Sequence, residues 1–318
     1  MKNVIVLGIM GHGKSQLCNF LDGDLTNSKY KVGHHNNSQT QMHDLLSKDK
    51  KDLIILRNKY NLIDSCGGGE KDEKDIDNLE EYTKYLTKIG GVNCIIFVFN
   101  YTVRAEKNDL SEYLRKLATI FTPKEFYERL IIVLTNFPNK PKTKDKQKRD
   151  IDKQEINDIM RKAFEIKDEN LSKEIFFIDT EPYEDDNGNN KYFNKVQIKT
   201  RDAIIDEIEL ICNFIPQAIM TKYLSNINPI DKRSNLGEYF YYQIKGSNEG
   251  SVWGYEIYTD DSNIAKAAVL DGKCKLGEEK IVKIKIEKGY SYYPSVYKNG
   301  INSFSWDYWP GSYIFVDY

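Results

Sequence analysis

The eight residues Gly8-Ile9-Met10-Gly11-His12-Gly13-Lys14-Ser15 constrain the fold of this chain more than any other stretch. They fit the pattern G-x-x-x-x-G-K-[ST] in full. An apolar run, VIVL at residues 4–7, leads into them, and Leu17, Phe20 and Leu21 follow at helical spacing. The pattern therefore sits where it has a mechanism, between a buried strand and the start of a helix. A chance match in a chain this long is on the order of one in a hundred, before context is counted. Glycines let the backbone curl so that successive N–H groups point at a phosphate, and the helix N-terminus adds its positive end. Lys14 brings a point charge to the terminal phosphate oxygens, and Ser15 offers a hydroxyl to Mg²⁺. Gly8, Gly11, His12, Gly13, Lys14, Ser15 and Gln16 are the candidate nucleotide-binding residues of this segment.

Two more elements belong to the same chemistry. Asp64-Ser65-Cys66-Gly67, at the end of an apolar run, is a D-x-x-G about 50 residues after the loop. Asp64 is placed to hold Mg²⁺, through water in a motif of this type, and the Gly67 N–H to sense a γ-phosphate. Between the two lies a polar stretch, residues 22–51, that reads as a long functional loop. Thr40, in NNSQTQ, is the candidate to complete the metal shell when a γ-phosphate is present, with Thr26 as its competitor. The expected metal set is thus Ser15, Thr40 and Asp64, and the expected catalytic set Lys14, Thr40 and Gly67. Gly68 follows the D-x-x-G and has no side chain to orient a water, so hydrolysis should be slow in isolation. His12 either points away from the phosphates or acts across an interface between two copies.

Further along, apolar runs at 53–56, 61–64, 92–99, 130–134 and 175–178 alternate with helical stripes at 76–89, 110–121, 152–164 and 194–214. Alternation of this kind predicts an α/β sheet, mostly parallel, with helices on both faces. Composition changes after Pro216. From about residue 238 tyrosine and tryptophan become dense, and the VKIKI run at 282–286 alternates with period two, as a half-buried strand does. The expected organisation is a first domain over 1–215, a linker over 216–235 and a small β-rich domain over 236–318. A net charge of −2 argues against a chain held along its length on nucleic acid. The basic run at 140–153 is broken by acids and reads as a solvated loop and helix start. Five scattered cysteines with no CxxC, no apolar run of spanning length and no signal-peptide pattern predict a soluble chain in the cytoplasm.

The loop segment 1–23, the SQTQ stretch and NLIDSCGGGEKDEKDIDNLEEYTKYLTKIGGVNCIIFVFN resemble the immunity-associated GTPases, GIMAP and its plant and protist relatives of the avrRpt2-induced type. Septins and chloroplast-import GTPases lie in the same branch. The likeness covers roughly 1–215. It implies a P-loop G domain, guanine nucleotide (GTP or GDP) with Mg²⁺, and a homodimer or oligomer assembled through the nucleotide face. It also implies that Thr135 and Asn136, after the apolar run 130–134, contact the nucleotide. The family's base-reading aspartate falls at Pro138, which has no carboxylate. Phe137 is the candidate to stack on a base, and Asp179 and Thr180 are candidates to contact it.

Residues 236–318 resemble a second family. Val252-Trp253-Gly254, the segment Ile257-Tyr258-Thr259-Asp260-Asp261-Ser262, Asn299-Gly300-Ile301 and Trp309-Pro310-Gly311-Ser312 are similar to LCCL-type domains. Only Cys274 is present where secreted members carry disulfides. This likeness implies an interaction module for protein, carbohydrate or lipid, without catalysis. Asp260 and Asp261 read as turn formers.

Overall fold

The computed structural model describes residues 1–23, 30, 54–57, 59–65, 67, 72–101, 107–121, 123–138, 143–164, 166–167, 173–184, 191–215 and 223–317. The chain forms two compact units, Met1–Thr221 and Lys222–Tyr318.

In the first unit, β1 (Lys2–Gly8) runs into the glycine loop and α1 (Lys14–Asp22) leaves it. There follow β2 (Ile54–Leu56), β3 (Tyr60–Asp64), α2 (Asp72–Ile89), β4 (Cys94–Asn100), α3 (Lys107–Ile120), α4 (Pro123–Glu128) and β5 (Leu130–Thr135). Next come α5 (Thr143–Ala163), β6 (Ile175–Phe177), a two-stranded hairpin of β7 (Tyr183–Glu184) and β8 (Lys191–Tyr192), and α6 (Lys195–Phe214). The six strands β1–β6 form one sheet in the order β2-β3-β1-β4-β5-β6. Within it the β2–β3 pair is antiparallel and the other four pairs are parallel. β1, β4 and β5 are buried almost throughout, which is why they read as continuous apolar runs rather than alternating ones. Val4, Val6, Ile96, Val98, Ile131 and Val133 pack on one face against Leu17, Phe20 and Leu21 of α1 and Ile204 and Ile208 of α6.

This order places the loop after β1 at a switch point. The chain moves from β1 to β3 on one side, then crosses to β4 on the other. A crevice opens at the carboxyl ends of strands where the order reverses in this way, and ligands of open α/β sheets sit there.

Three differences from expectation have local causes. α5 begins at Thr143, about nine residues before the expected start, so the basic run is largely helix. Its Lys, Gln and Arg residues favour helix but carry no apolar stripe, and the Lys148–Asp152 pair at 3.5 Å supports the turn instead. α4 is too short to show a period, yet its Phe126 and Tyr127 are buried. The 183–192 hairpin consists of exposed two-residue strands, which leave no apolar run to read.

The second unit contains a five-stranded antiparallel sheet and, among its described residues, one α-helix. Its elements are β9 (Tyr239–Lys245), β10 (Gly254–Tyr255), β11 (Ile257–Thr259), α7 (Ile264–Asp271), β12 (Glu279–Lys288), β13 (Tyr297–Lys298), β14 (Ile301–Asn302) and β15 (Gly311–Val316). The sheet order is β10-β11-β15-β12-β9, with β13 and β14 paired separately. The period-two alternation expected of the VKIKI run is present in β12. There Val282, Ile284 and Ile286 face a core containing Tyr258, Tyr313, Ile264 and Ala268. The segment expected as a linker is, from residue 223 on, part of this unit. The Leu224 N–H donates to the Gln243 carbonyl, the Lys245 N–H returns a bond to the Leu224 carbonyl, and Arg233 pairs with Asp260.

Candidate functional site

The loop takes its shape from contacts that admit no side chain. A Cβ at Gly8 would lie 2.5 Å from the Val98 carbonyl oxygen of β4, so β1 and β4 close on each other where the loop begins. Gly11 and Gly13 hold positive φ angles of 76° and 86°, a region that disfavours other residues. Gly13 caps α1, and the Leu17 N–H bonds back to its carbonyl. Lys14 is 6% exposed, and its ammonium donates to the Ile9 carbonyl at 3.0 Å. Its charge is therefore held over the loop's own backbone.

Ser15 and Asp64 meet across the strand ends. The Ser15 hydroxyl donates to Asp64 Oδ2 at 2.6 Å, and the Asp64 side chain is fully buried. Gly67 brings its backbone against Met10 of the loop, where an added Cβ would sit 2.4 Å from the Met10 Cα. One hydroxyl and one carboxylate, close together beside a lysine, make the hard oxygen donor set that Mg²⁺ takes from a protein when phosphates supply the rest. Thr40, Thr26, Cys66 and Gly68 lie outside the described residues.

His12 points inward. It is 4% exposed, and its Nδ1 accepts from the Asn100 backbone N–H at 3.4 Å. Burial first, then the neighbouring Lys14 charge, lowers its pKa from 6.5 to about 4. A neutral ring with Nδ1 accepting carries its proton on Nε2. In the single chain the ring is packed against β4. What the loop presents from this residue is its backbone.

Thr135 and Phe137 also turn inward. The Thr135 hydroxyl donates within the strand ends, 2.9 Å from the His12 carbonyl and 3.1 Å from that of Phe99. It braces the phosphate loop from below. Asn136 follows in the left-handed region, with φ 57°. Phe137 is buried, edge-on to Tyr101 at 4.9 Å and to Phe177 at 5.1 Å. Phe137, the candidate to stack on a base, thus packs on two aromatic neighbours and also lines the cavity beside β6. Pro138 and Asp179 line a cavity of about 330 Å³ beside β6, together with Arg149 and Lys153.

Beyond the candidates named from the sequence, Glu181 and Gln197 lie beside this site. Gln16 donates through Nε2 to Glu181 Oε1 at 2.7 Å, joining the first turn of α1 to the loop after β6. That loop is fixed from behind by Gln197 of α6, which is fully buried and donates to the carbonyls of Asp179 (3.0 Å) and Glu181 (2.7 Å). The signal was the Asn194-Lys195-Val196-Gln197 spacing of a capping box. Asn194 Oδ1 accepts from the Gln197 N–H, and Gln197 Oε1 from the Asn194 N–H, both at 2.9 Å.

In the second unit, Asp260 is fully buried and is more than a turn former. It accepts from Arg233 Nε at 2.5 Å, Arg233 Nη2 at 2.8 Å and Trp309 Nε1 at 2.7 Å. Asp261 accepts from the Thr259 hydroxyl at 2.6 Å. Trp253, Phe304 and Trp306 form an aromatic group whose Phe304 and Trp306 are about half exposed.

The sheet order and the glycine loop at its switch point define the first unit as a P-loop fold of the G-domain kind. The second unit is a separate β-rich domain, and residues 241–313 match the family model of the LCCL domain. Among solved structures, the chain is similar to Toc33 from Arabidopsis thaliana in complex with GDP and Mg²⁺. That likeness has 15% identity and a TM-score of 0.48, covering 70% of this chain and 88% of that one. A dimerization-deficient Toc33 mutant from the same plant gives 16% identity and 0.48, over 69% and 87%. Elongation factor SelB from Methanococcus maripaludis, with a GTP analogue, gives 12% and 0.34, over 99% of this chain and 52% of that one. No curated protein matches the chain. Among the described residues no helix is long and apolar enough to cross a membrane.

Proposed function

We propose that the first unit binds a guanine nucleoside di- or triphosphate with Mg²⁺ and serves as a slow GTPase switch or assembly module, with the LCCL-type unit as its interaction domain. The observation that carries this reading is the meeting of Ser15 Oγ and Asp64 Oδ2 at 2.6 Å beside the buried Lys14. The loop N–H groups and Lys14 would hold the phosphates, and Ser15 and Asp64 the metal, which when bound neutralises phosphate charge. Thr40 is proposed to join Ser15 and Asp64 in the triphosphate state, and the Gly67 N–H to face the γ-phosphate. Thr135 is proposed to act through the loop backbone. The likeness of residues 1–215 to immunity-associated GTPases supports guanine as the base and a homodimer or oligomer through the nucleotide face.

A second reading keeps the bound nucleotide as a structural part of a scaffold subunit. The burial of His12 favours it, since Lys14 is then the ionisable side chain that the loop, residues 8–15, has left to offer the phosphates. One experiment bears on both. Nucleotide is released from the purified full chain and identified, and phosphate production is then followed for hours with Mg²⁺ and with chelator. Bound guanine nucleotide with slow, Mg²⁺-dependent turnover supports the switch. Bound nucleotide without turnover supports the scaffold. No nucleotide, and no uptake of any, sinks both.

A further inference from the structure

β6 (Ile175–Phe177) is the last strand of its sheet, with β5 as its neighbour on one side. In a strand, one residue sends its N–H and C=O to one side and the next residue sends its own to the other. Ile178 is joined toward β5 through both groups. Its N–H donates to the Leu134 carbonyl at 2.9 Å, and its carbonyl accepts from the Phe137 N–H at 3.2 Å. The backbone groups of Ile175 and Phe177 therefore point out of the sheet, and among the described residues no strand pairs with them. We propose that this edge is a docking groove, that it takes an extended segment of a partner protein as a seventh strand, and that this segment alternates acidic and apolar residues. The proposal stands apart from the nucleotide reading.

The two walls of the groove are unlike. Phe177 faces α5, with its ring centroid 6.0 Å from the Lys153 ammonium. Phe176 faces the other way, against the core that α6 covers. The cavity of about 330 Å³ beside this edge is lined by Arg149 and Lys153 of α5 and by Val196 and Thr200 of α6. Arg149 and Lys153 are four residues apart on one helix, so they share a face. Among the described residues Lys153 has no carboxylate partner, and Arg149 reaches the exposed Asp150 at 3.4 Å. On the opposite wall Val196, in the first turn of α6, is 60% exposed.

Lysines placed on an edge strand itself guard it against pairing. Here the strand is apolar and the cations stand beside it on α5, so an added strand meets them with its side chains and keeps its backbone for β6. This is strand addition, in which main-chain bonds give affinity and the pockets for alternate side chains give specificity. Successive side chains of the added strand point to opposite faces of the sheet. Every second residue thus lies toward Arg149 and Lys153, and the others lie toward Val196. Carboxylates complement the first set and aliphatic side chains the second.

The test uses the full chain and fluorescein-labelled peptides read by anisotropy. The probes are an alternating valine–glutamate hexapeptide, its valine–lysine counterpart, and two forms of the first that are N-methylated on the valines alone or on the glutamates alone. Wild type is expected to bind the glutamate peptide and to bind the lysine peptide far more weakly. Arg149→Glu with Lys153→Glu should weaken the glutamate peptide by about five- to thirtyfold, the range of one or two exposed ion pairs. The same variant should gain binding of the lysine peptide, a gain that a misfolded protein does not give. One methylated form should bind and the other should not, because a single edge of the peptide pairs with β6. Equal binding of the two charge types by wild type, or a variant that does not switch its preference, overturns the charge selection and with it the proposal. The same affinity for both methylated forms overturns strand addition. If neither peptide binds, the cations serve to keep the edge closed, and the proposal falls.

Discussion

The backbones of Gly67 and Met10 touch, with no room between them for even a methyl group. The end of β3 is thereby fastened to the phosphate loop. Gly67→Ala must push the two apart, and forcing such a group into a packed contact costs about 1–3 kcal/mol. The expected result is a lower unfolding midpoint for the first unit and weaker nucleotide binding, read by denaturation and by fluorescent-nucleotide titration. A variant matching wild type in both would show that the contact yields freely.

Asp64→Asn keeps the shape of the side chain and removes its charge. If Ser15 and Asp64 hold the metal, Mg²⁺ should strengthen nucleotide binding far less in this variant than in wild type. A loss of the Mg²⁺ effect by about ten- to a hundredfold is expected, the usual range for altered metal surroundings. Titrations with Mg²⁺ and with chelator measure it. An Mg²⁺ effect of wild-type size in Asp64→Asn would remove Asp64 from the site.

His12 should titrate near pH 4 in the folded chain, against 6.5 for a free histidine. The folded ring resists protonation, so between these values the unfolded chain binds a proton that the folded one does not. This contribution to stability is complete above about pH 6.5 and is lost as pH falls toward 4. It is on the order of 3 kcal/mol. NMR of the imidazole with pH checks it, with His12→Asn as the assignment control. A midpoint near 6.5 would mean the ring is open to water.

A fragment spanning 222–318 is expected to fold cooperatively, and one starting at 236 to be far less stable. The shorter piece lacks Leu224, which bridges to Ile244, and Arg233, which pairs with the fully buried Asp260. Removing one partner of a buried pair costs several kcal/mol, less here because Arg233 is partly exposed, so a loss of about 2 kcal/mol is expected. In a domain of this size that is about 10 °C in Tm. Circular dichroism melts of the two fragments compare them. Equal midpoints would mean that residues 222–235 add nothing.

The parts of the fold that were legible in the sequence rest on local rules. Residues 4–7, 92–99 and 130–134 read as buried strands because both faces of each are covered, and α6 was legible from the helical stripe over 194–214. The neighbouring positions of Ser15 and Asp64 follow from the strand order once the loop fixes β1. Orientation was not legible. Nothing in the string says that the His12 ring, the Thr135 hydroxyl and the Phe137 ring all turn inward, because β4 and β6, which receive them, are distant in sequence. The same holds for Arg233, which lies 27 residues from Asp260 and looked like part of a linker. The Gln16–Glu181 contact spans 165 residues, and neither partner belongs to a short motif that announces it.

Gln197 makes the start of α6 and the loop after β6 a single mechanical element. Its carbonyl oxygen closes the helix cap on Asn194, and its amide nitrogen holds the carbonyls of Asp179 and Glu181. Fraying the first helical turn swings this side chain away and frees the loop in the same event. The two segments should therefore open together rather than one by one. Amide hydrogens of Glu181 and of the first turn of α6 should exchange with one common protection factor, although they lie on different secondary structures.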